Sequence, residues 1–324
     1  MKKRICITGG AGFIGSHFAQ LAHQKQDVEQ VVIYDKLTYA ADLNRLNGIE
    51  YTFVEGDVCN ANLLAMTIKR YDITHVVHFA AESHVDRSIR DDVPFVQTNI
   101  MGTASVLQAL EMTWGQDTSN RLFVHISTDE VYGTVLETEV AADENTMLKP
   151  GNPYSATKAA ADQLVLSRIY NQTLPAIIVR SSNNFGKHQH AEKLIPKVIS
   201  NLIEGKPIPL YGDGKQKRCW ISAKTYAEIL YQLIENQVPY GVYNVRGKET
   251  YDNITLVNKI RNLYMELSGR SHTEAAPIIF VPDRKAHDLY YHIDDTKVQT
   301  YISVRYECMD TFLYDEIKER LRNQ

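Results

Sequence analysis

Residues 8–15 read Thr8-Gly9-Gly10-Ala11-Gly12-Phe13-Ile14-Gly15, directly after the apolar run Ile5–Thr8 and opening a segment of helical spacing, Ile14–Gln24. Glycine recurs at every third position from Gly9, and Gly10, Gly12 and Gly15 also fit G-x-G-x-x-G. A strand that turns on glycine into a helix demands a strand–helix–strand unit. Without Cβ atoms in the way, backbone N–H groups of Gly9, Gly12, Phe13, Ile14 and Gly15 can approach a pyrophosphate, and the helix N-terminus faces that anion with its partial positive charge. A glycine turn alone could be ligand-free. Here the next apolar run, Val31–Tyr34, closes on Asp35, about 20 residues on, where a carboxylate accepts hydrogen bonds from an adenine ribose. Together they predict a dinucleotide site. Asp35 would repel a 2′-phosphate, so NAD is favoured over NADP, with Lys36 opposing that preference slightly. Asp57, after the third apolar run, is a candidate adenine contact and equally an ordinary loop aspartate.

The rest of the first half repeats the alternation. Apolar runs at Tyr51–Val54, His75–Phe79, Leu122–Ile126 and Ala176–Arg180 are separated by helical patterns at Asn60–Arg70, Gly102–Met112 and Ala156–Tyr170. Apolar strands alternating with helices imply a parallel sheet covered on both faces. The expected fold is α/β, a Rossmann-type doubly wound parallel sheet over residues 1–182. A smaller α/β lobe over 183–324, interleaved with the first, is expected to close over the strand ends. Its helices are expected at Ala191–Glu204, Ala223–Glu235, Thr255–Leu267 and Asp310–Arg322, with a Pro/Gly stretch at Gly205–Gly214. The 324-residue length suits two lobes.

A net charge of −4 argues against a nucleic-acid surface, though a local basic patch can still take a phosphorylated ligand. Cys6, Cys59, Cys219 and Cys308 form no CxxC pair, which points to a reducing, cytoplasmic setting. The N-terminus does not read as a signal peptide, and no run reaches the ~18 apolar residues a membrane helix needs. No metal-ligand spacing occurs, so no metal is expected.

Tyr154-Ser155-Ala156-Thr157-Lys158 places a phenol and an ammonium four residues apart, on one helical face, with Asn152 as a cap and Pro153 at the first position. An ammonium beside a phenol is expected to lower its pKa and make it a base. Alone the pair is an ordinary surface contact; downstream of a dinucleotide loop it points to catalysis. The glycine loop, Ser127-Thr128 and Tyr154/Lys158 together resemble the short-chain dehydrogenases/reductases, in their extended branch. In that family the Tyr removes a hydroxyl proton, the Lys also holds the nicotinamide ribose, and the Ser/Thr binds the same substrate oxygen.

A narrower resemblance is to the dTDP-glucose 4,6-dehydratases. It is carried by Ser127-Thr128-Asp129-Glu130-Val131-Tyr132-Gly133, by Tyr34–Ala40, by His78-Phe79-Ala80-Ala81-Glu82-Ser83-His84-Val85-Asp86-Arg87-Ser88, by Ser182-Asn183-Asn184-Phe185-Gly186 and by Glu192-Lys193-Leu194-Ile195-Pro196. The chemistry asks for two carboxyl groups. A ketone at sugar C4 acidifies the C5 hydrogen, which one carboxylate removes, while a second carboxyl protonates the departing C6 hydroxyl. The resemblance makes Glu130 the C5 base, Asp129 the acid and Thr128 the O4 ligand. It implies a tightly bound NAD, regenerated each turnover, and a 4-keto-6-deoxy product of deoxysugar biosynthesis. It also makes Ala80 and Asn99 part of the cofactor site. Asn99 would support the lysine through backbone geometry. His84 and Asp86 are expected to touch the sugar; read without the family, Asp129-Glu130 is a solvated acidic loop, and His84 a packed loop histidine.

A diphosphate needs cations, and Arg218 and Arg284 sit in segments resembling the family's phosphate contacts; Asn183, Glu192, Lys193, Leu194 and His287 complete the expected substrate set. Departures gather in this lobe: Cys219, Lys285-Ala286, Phe185, Lys187, Arg246 and Ala223-Lys224-Thr225 replace the usual residues. They leave dTDP-glucose, UDP-glucose and UDP-N-acetylglucosamine open. Rival readings are a UDP-N-acetylglucosamine 4,6-dehydratase that inverts C5, disfavoured by Glu130, and a 4-epimerase, which has no use for Asp129 and Glu130. A non-catalytic NAD-binding sensor has no need of four reactive groups. The resemblance also implies a homodimer, with Gly102–Met112 and Tyr154–Tyr170 in a four-helix interface.

Overall fold

The computed structural model describes residues 2–115, 118–271, 276–283 and 286–323. Six strands follow the expected alternation: β1 (Lys3–Thr8), β2 (Val28–Asp35), β3 (Thr52–Glu55), β4 (His75–His78), β5 (Leu122–Thr128) and β6 (Ala176–Ser181). Between them run α1 (Phe13–His23), α2 (Ala61–Arg70), α3 (Val85–Arg90), α4 (Val93–Phe95), α5 (Gly102–Trp114) and α6 (Pro153–Tyr170). A π-helical stretch, Val96–Met101, joins α4 to α5. Beyond β6 come β7 (Asn183–Phe185), α7 (Leu194–Glu204), β8 (Ile208–Tyr211), β9 (Lys217–Ser222), α8 (Ala223–Glu235), β10 (Gly241–Val245), β11 (Glu249–Asp252), α9 (Asn253–Ser268), β12 (Ile278–Val281), α10 (Thr296–Gln299) and α11 (Met309–Arg322).

The main sheet has the order β10-β6-β5-β4-β1-β2-β3, with every pairing parallel. This is the expected Rossmann-type sheet. All seven residues of β5 are buried, as are all six of β6, because helices cover both faces. On one face α1 and α8 pack with Ile5, Ile7, Ile33, Val77, Val124 and Val179. On the other, α2, α5 and α6 cover Cys6, Val32, Val76, Phe123 and Ile178. The order turns back between β1 and β4, which opens a crevice at the strand C-termini.

The second half builds a three-stranded sheet, β11-β9-β7, and a two-stranded one, β12-β8, around Phe185, Ile199, Leu210, Trp220, Leu256 and Leu313. It also sends β10 back to the edge of the main sheet beside β6, and α8 back onto α1. Two details differ from the expectations. The helix expected from Ala191 starts at Leu194, because residues 191–193 form a turn and a bend. The Pro/Gly stretch 205–214 contains β8, whose four residues pair with β12 in a register that only the fold supplies.

Candidate active site

β1 delivers the chain into the glycine turn one strand from β4. Gly9 has φ +68°, and a Cβ there would lie 2.6 Å from the Ala80 nitrogen; one on Gly15 would lie 2.4 Å from the Gly9 oxygen. Glycine is required at both for the turn to close against β4. Gly12 caps α1 with no side chain, and no acid occupies the helix's first turn. Gly9, Gly12, Phe13, Ile14 and Gly15 wall a cavity of ≈ 280 Å³ at the N-terminal end of α1, where the helix dipole is positive. An adjoining compartment shares Gly9, Gly12, Phe79 and Ala81 and is walled further by Asp35, Lys36, Gly56, Val58, Ala80 and Glu82.

Asp35 ends β2, its Oδ2 accepting from the Ala11 N–H at 3.0 Å and its Oδ1 from Leu37 at 2.9 Å. Lys36 is held by Asp57 at 3.2 Å. Asp57 also accepts from the Cys59 N–H at 2.9 Å, so it shapes the turn whose neighbours Gly56 and Val58 face the cleft. A dinucleotide fits this arrangement: a glycine floor under the pyrophosphate and a fixed carboxylate, with its nearest lysine engaged, at the ribose end. Asn99 is buried and clamps the loop after β4 to α6. Its Nδ2 donates to the Glu82 oxygen at 3.0 Å and to the Thr157 hydroxyl at 2.9 Å, and its Oδ1 accepts from the Glu82 N–H at 2.9 Å.

The other end of the cavity gathers Thr128, Asp129, Glu130, Tyr154 and Lys158. Thr128 ends β5 and caps the single turn 129–132, accepting from the Glu130 N–H at 3.3 Å. Asn152 and Ser155 form a capping box that starts α6, with Pro153 in its first turn. That helix presents Tyr154, Lys158 and Asp162 at four-residue spacing. Lys158 donates to the Ile126 oxygen at 2.6 Å, and burial lowers its pKa to about 8 against the pull of Asp162. Its proximity was expected to depress the Tyr154 pKa; the structure shows the reverse. Burial first, and then Glu130, raise the phenol above its ordinary value, with a hydrogen bond to Thr128 acting the other way. Lys158 spends its ammonium on a backbone carbonyl.

Asp129 and Glu130 are adjacent but differently housed. Burial and the charge of Glu130 push the Asp129 carboxyl well above the usual carboxylate range, while Arg218 pulls it down. Its Oδ2 has no hydrogen-bond partner among the described residues. Glu130 Oε2 accepts from Asn152 Nδ2 and from the Tyr291 hydroxyl, both at 3.3 Å. The site thus sets a carboxyl held above the usual carboxylate range beside a second carboxyl that accepts from two donors.

At the cleft mouth, Glu192 is ringed by His84 at 3.4 Å, Arg87 at 3.6 Å and His190 at 3.6 Å, and Arg87 stacks 3.9 Å over Tyr39. Lys193 donates to the Ser83 oxygen at 3.2 Å and, with Asn183, lines the cavity. Leu194 begins α7 and packs into the second lobe's core. Arg218 is buried on β9, donating to the oxygens of Lys217, Asp288 and Leu289, with its guanidinium 4.6 Å over Tyr291. His287 pairs with Asp283 at 2.6 Å, beside Tyr211 and away from the cavity wall. Arg284 lies outside the described residues.

Tyr39, Arg87, His190, Asp162, Arg180 and Tyr291 were not anticipated. Asp162 had a signal, since it continues the Tyr154–Lys158 spacing by one more turn; Tyr291 had none, lying 161 residues from Glu130.

The model of a family described as GDP-mannose 4,6 dehydratase matches residues 6–306. The dTDP-glucose 4,6-dehydratase of Neisseria gonorrhoeae is 42% identical over 311 residues, 92% of this chain and 89% of that protein. That of Haemophilus influenzae is 41% identical over 308 residues, 91% and 90% of the two chains. Among solved structures, the dTDP-glucose 4,6-dehydratase of Streptomyces venezuelae, with NAD bound, matches with TM-score 0.87 at 34% identity, over 99% of this chain and 97% of that one. The UDP-glucuronic acid 4-epimerase of Bacillus cereus, also with NAD, matches with TM-score 0.84 at 27% identity, over 98% and 99%.

Proposed function

The chain belongs to the family described as GDP-mannose 4,6 dehydratase, and from that premise we propose that it converts an NDP-hexose, dTDP-glucose first, to the NDP-4-keto-6-deoxyhexose with loss of water. The observation that carries this reading is the Asp129–Glu130 pair in the cavity beside Tyr154 and Lys158. Both dehydratases and 4-epimerases share this fold, and a 4-epimerase needs no such pair. Relatives named dTDP-glucose 4,6-dehydratase support the thymidine nucleotide.

The glycine loop, the start of α1 and Asp35 would hold NAD, which when bound would supply a hydride acceptor for C4 and a hydride donor for C6. Thr128 orients O4 by hydrogen bonding. Tyr154 takes the O4 proton, positive charge in the cleft offsetting the burial and the Glu130 field that hold the phenol protonated. Lys158 sets the local field while tethered to Ile126. With C4 a ketone, Glu130 takes the C5 proton, and the C5–H electron pair moves into the C4 carbonyl as an enolate. The enolate expels the C6 oxygen, which leaves as water on receiving the proton of Asp129. Asn183 and Lys193, which line the cavity, would serve the diphosphate, Arg218 would add its charge from behind Tyr291, and His84 and Glu192 would meet the sugar side of the mouth.

Two further readings rest on the surface and the thiols. Val93, Val96, Met101, Met112 and Tyr170, on the α4–α5 run and at the end of α6, are exposed large apolar residues that suit a homodimer interface. Four free cysteines suit the cytoplasm.

The test is incubation of the purified protein, without added NAD, with dTDP-glucose, UDP-glucose and UDP-N-acetylglucosamine separately, followed by mass spectrometry. Loss of one water from dTDP-glucose is expected. An Asp129→Asn, Glu130→Gln double variant is expected to lose nearly all dehydration while slow C4 oxidation survives. Full dehydration by that variant, or a C4 epimer from the unmodified protein, would overturn the reading.

A further inference from the structure

Tyr291 reaches the site from far along the chain. Its backbone forms an isolated parallel bridge with Val135, just beyond the turn that carries Glu130. The side chain is 2% exposed, with the Arg218 guanidinium 4.6 Å over its ring. Its hydroxyl lies 3.3 Å from Glu130 Oε2 and 2.9 Å from Asp288 Oδ2. Asp288 is itself fixed: Thr134 donates to its Oδ1 at 2.8 Å, and Arg218 donates to its backbone oxygen at 3.0 Å.

A phenol has one proton and here faces two carboxylates. Burial, and after it the Glu130 charge, hold Tyr291 well above the ordinary phenol range, so that proton stays on the ring oxygen. It can serve one carboxylate at a time, while the oxygen's lone pairs accept from the other group once that group is protonated. An ionised Glu130 takes the proton in a charge-assisted hydrogen bond. A protonated Glu130 becomes the donor, and the tyrosine proton turns to Asp288. Asn152 Nδ2 steadies Glu130 in both states and ties it to the cap of α6. Asp129 is held less: the Thr128 hydroxyl donates to its Oδ1 at 3.3 Å, and its Oδ2 has no hydrogen-bond partner among the described residues.

Building on the dehydratase reading above, we propose that Tyr291 is the positioning residue for Glu130, its single hydroxyl proton alternating between Glu130 and Asp288 so that Glu130 is held before and after it takes the C5 proton. In that step the C5–H bond breaks, its proton passes to Glu130, and its electron pair moves into the C4 carbonyl. C4 oxidation, which belongs to Tyr154 and Lys158, does not involve Tyr291.

The test is Tyr291→Phe, which keeps the ring beneath Arg218, studied as the NAD-containing protein in single turnover with dTDP-glucose. Water loss, read by mass spectrometry, is expected to slow on the order of 10- to 100-fold, the range for a lost hydrogen bond to a charged group. Reduced-nicotinamide absorbance is expected to build up as C4 oxidation outruns elimination, with KM little changed. Water loss at the unmodified rate would overturn the proposal. So would a parallel fall in reduced-nicotinamide formation and water loss, which marks a merely structural role. If the unmodified protein yields a C4 epimer and no water loss, the dehydratase reading itself falls and the proposal with it.

Discussion

Asp129 and Glu130 differ by one methylene and sit side by side, yet their surroundings differ. One is buried with an oxygen that has no hydrogen-bond partner among the described residues, and the other is held by Asn152 and Tyr291. Burial acts as strongly on the histidines. His125, on β5, is lowered to about 4 by burial and by Lys158, against the pull of Asp162; His75, on β4, is likewise lowered to about 4 by burial and Lys3. Both titrate near 6.5 in an unfolded chain. Between these values the unfolded chain binds protons that the folded one excludes, so their contribution is full above about pH 6.5 and is lost as pH falls toward 4. Thermal midpoints measured across that window are expected to drop on acidification, and His75→Asn to flatten the drop. Identical curves for the two proteins would count against this account.

The element that organises the site is α6. Its capping box fixes where the helix begins, and the 3.6-residue repeat then places Tyr154, Lys158 and Asp162 on one face. Asp162 is fully buried and pairs with Arg180 of β6 at 2.9 Å. Burial acts to raise its pKa, but His125, Arg180 and Lys158 together hold the carboxyl below its ordinary value. Arg180 also donates to the Tyr132 hydroxyl at 2.7 Å, which in turn donates to Asn244 of β10 at 2.8 Å. The pair therefore stitches helix to sheet beneath the reactive groups. Asp162→Ala leaves a buried, uncompensated guanidinium and is expected to cost about 3–5 kcal/mol by chemical denaturation. Replacing both partners, as Asp162→Leu with Arg180→Met, is expected to recover most of that. A single-variant cost below about 1 kcal/mol would show the pair to be dispensable.

At the scale of the molecule, the cavity lies where the strand order reverses between β1 and β4, and Ser182, Asn183, His190, Glu192 and Lys193 from beyond β6 complete its wall. Lys193 bonding to Ser83, and Glu192 to His84 and Arg87, join the lobes at the mouth. The α4–α5 run leaves Val93, Met101 and Met112 exposed at 61%, 55% and 57%, and α6 ends on Tyr170 at 75%. Apolar residues so exposed call for a partner surface, and a second copy of the chain is the expected one. Sedimentation at micromolar concentration is expected to give a dimer, and Met112→Lys with Tyr170→Lys to shift it toward monomer. A monomeric unmodified protein would remove this reading.

By itself the sequence determined what local chain chemistry and strict periodicity encode. The glycine turn can only follow a strand and open a helix, the alternation of buried strands and helices implies a covered parallel sheet, and Tyr154 and Lys158 share a face because helices repeat. Short range is the common reason. The tertiary structure alone decided what depends on groups far apart in the chain: the pairing of β8 with β12, the return of β10 to the main sheet, the reversed sign of the Tyr154 shift and the donors on Glu130. Desolvation and long-range hydrogen bonds set those features, and both are properties of the packed interior, which spacing along the chain does not record.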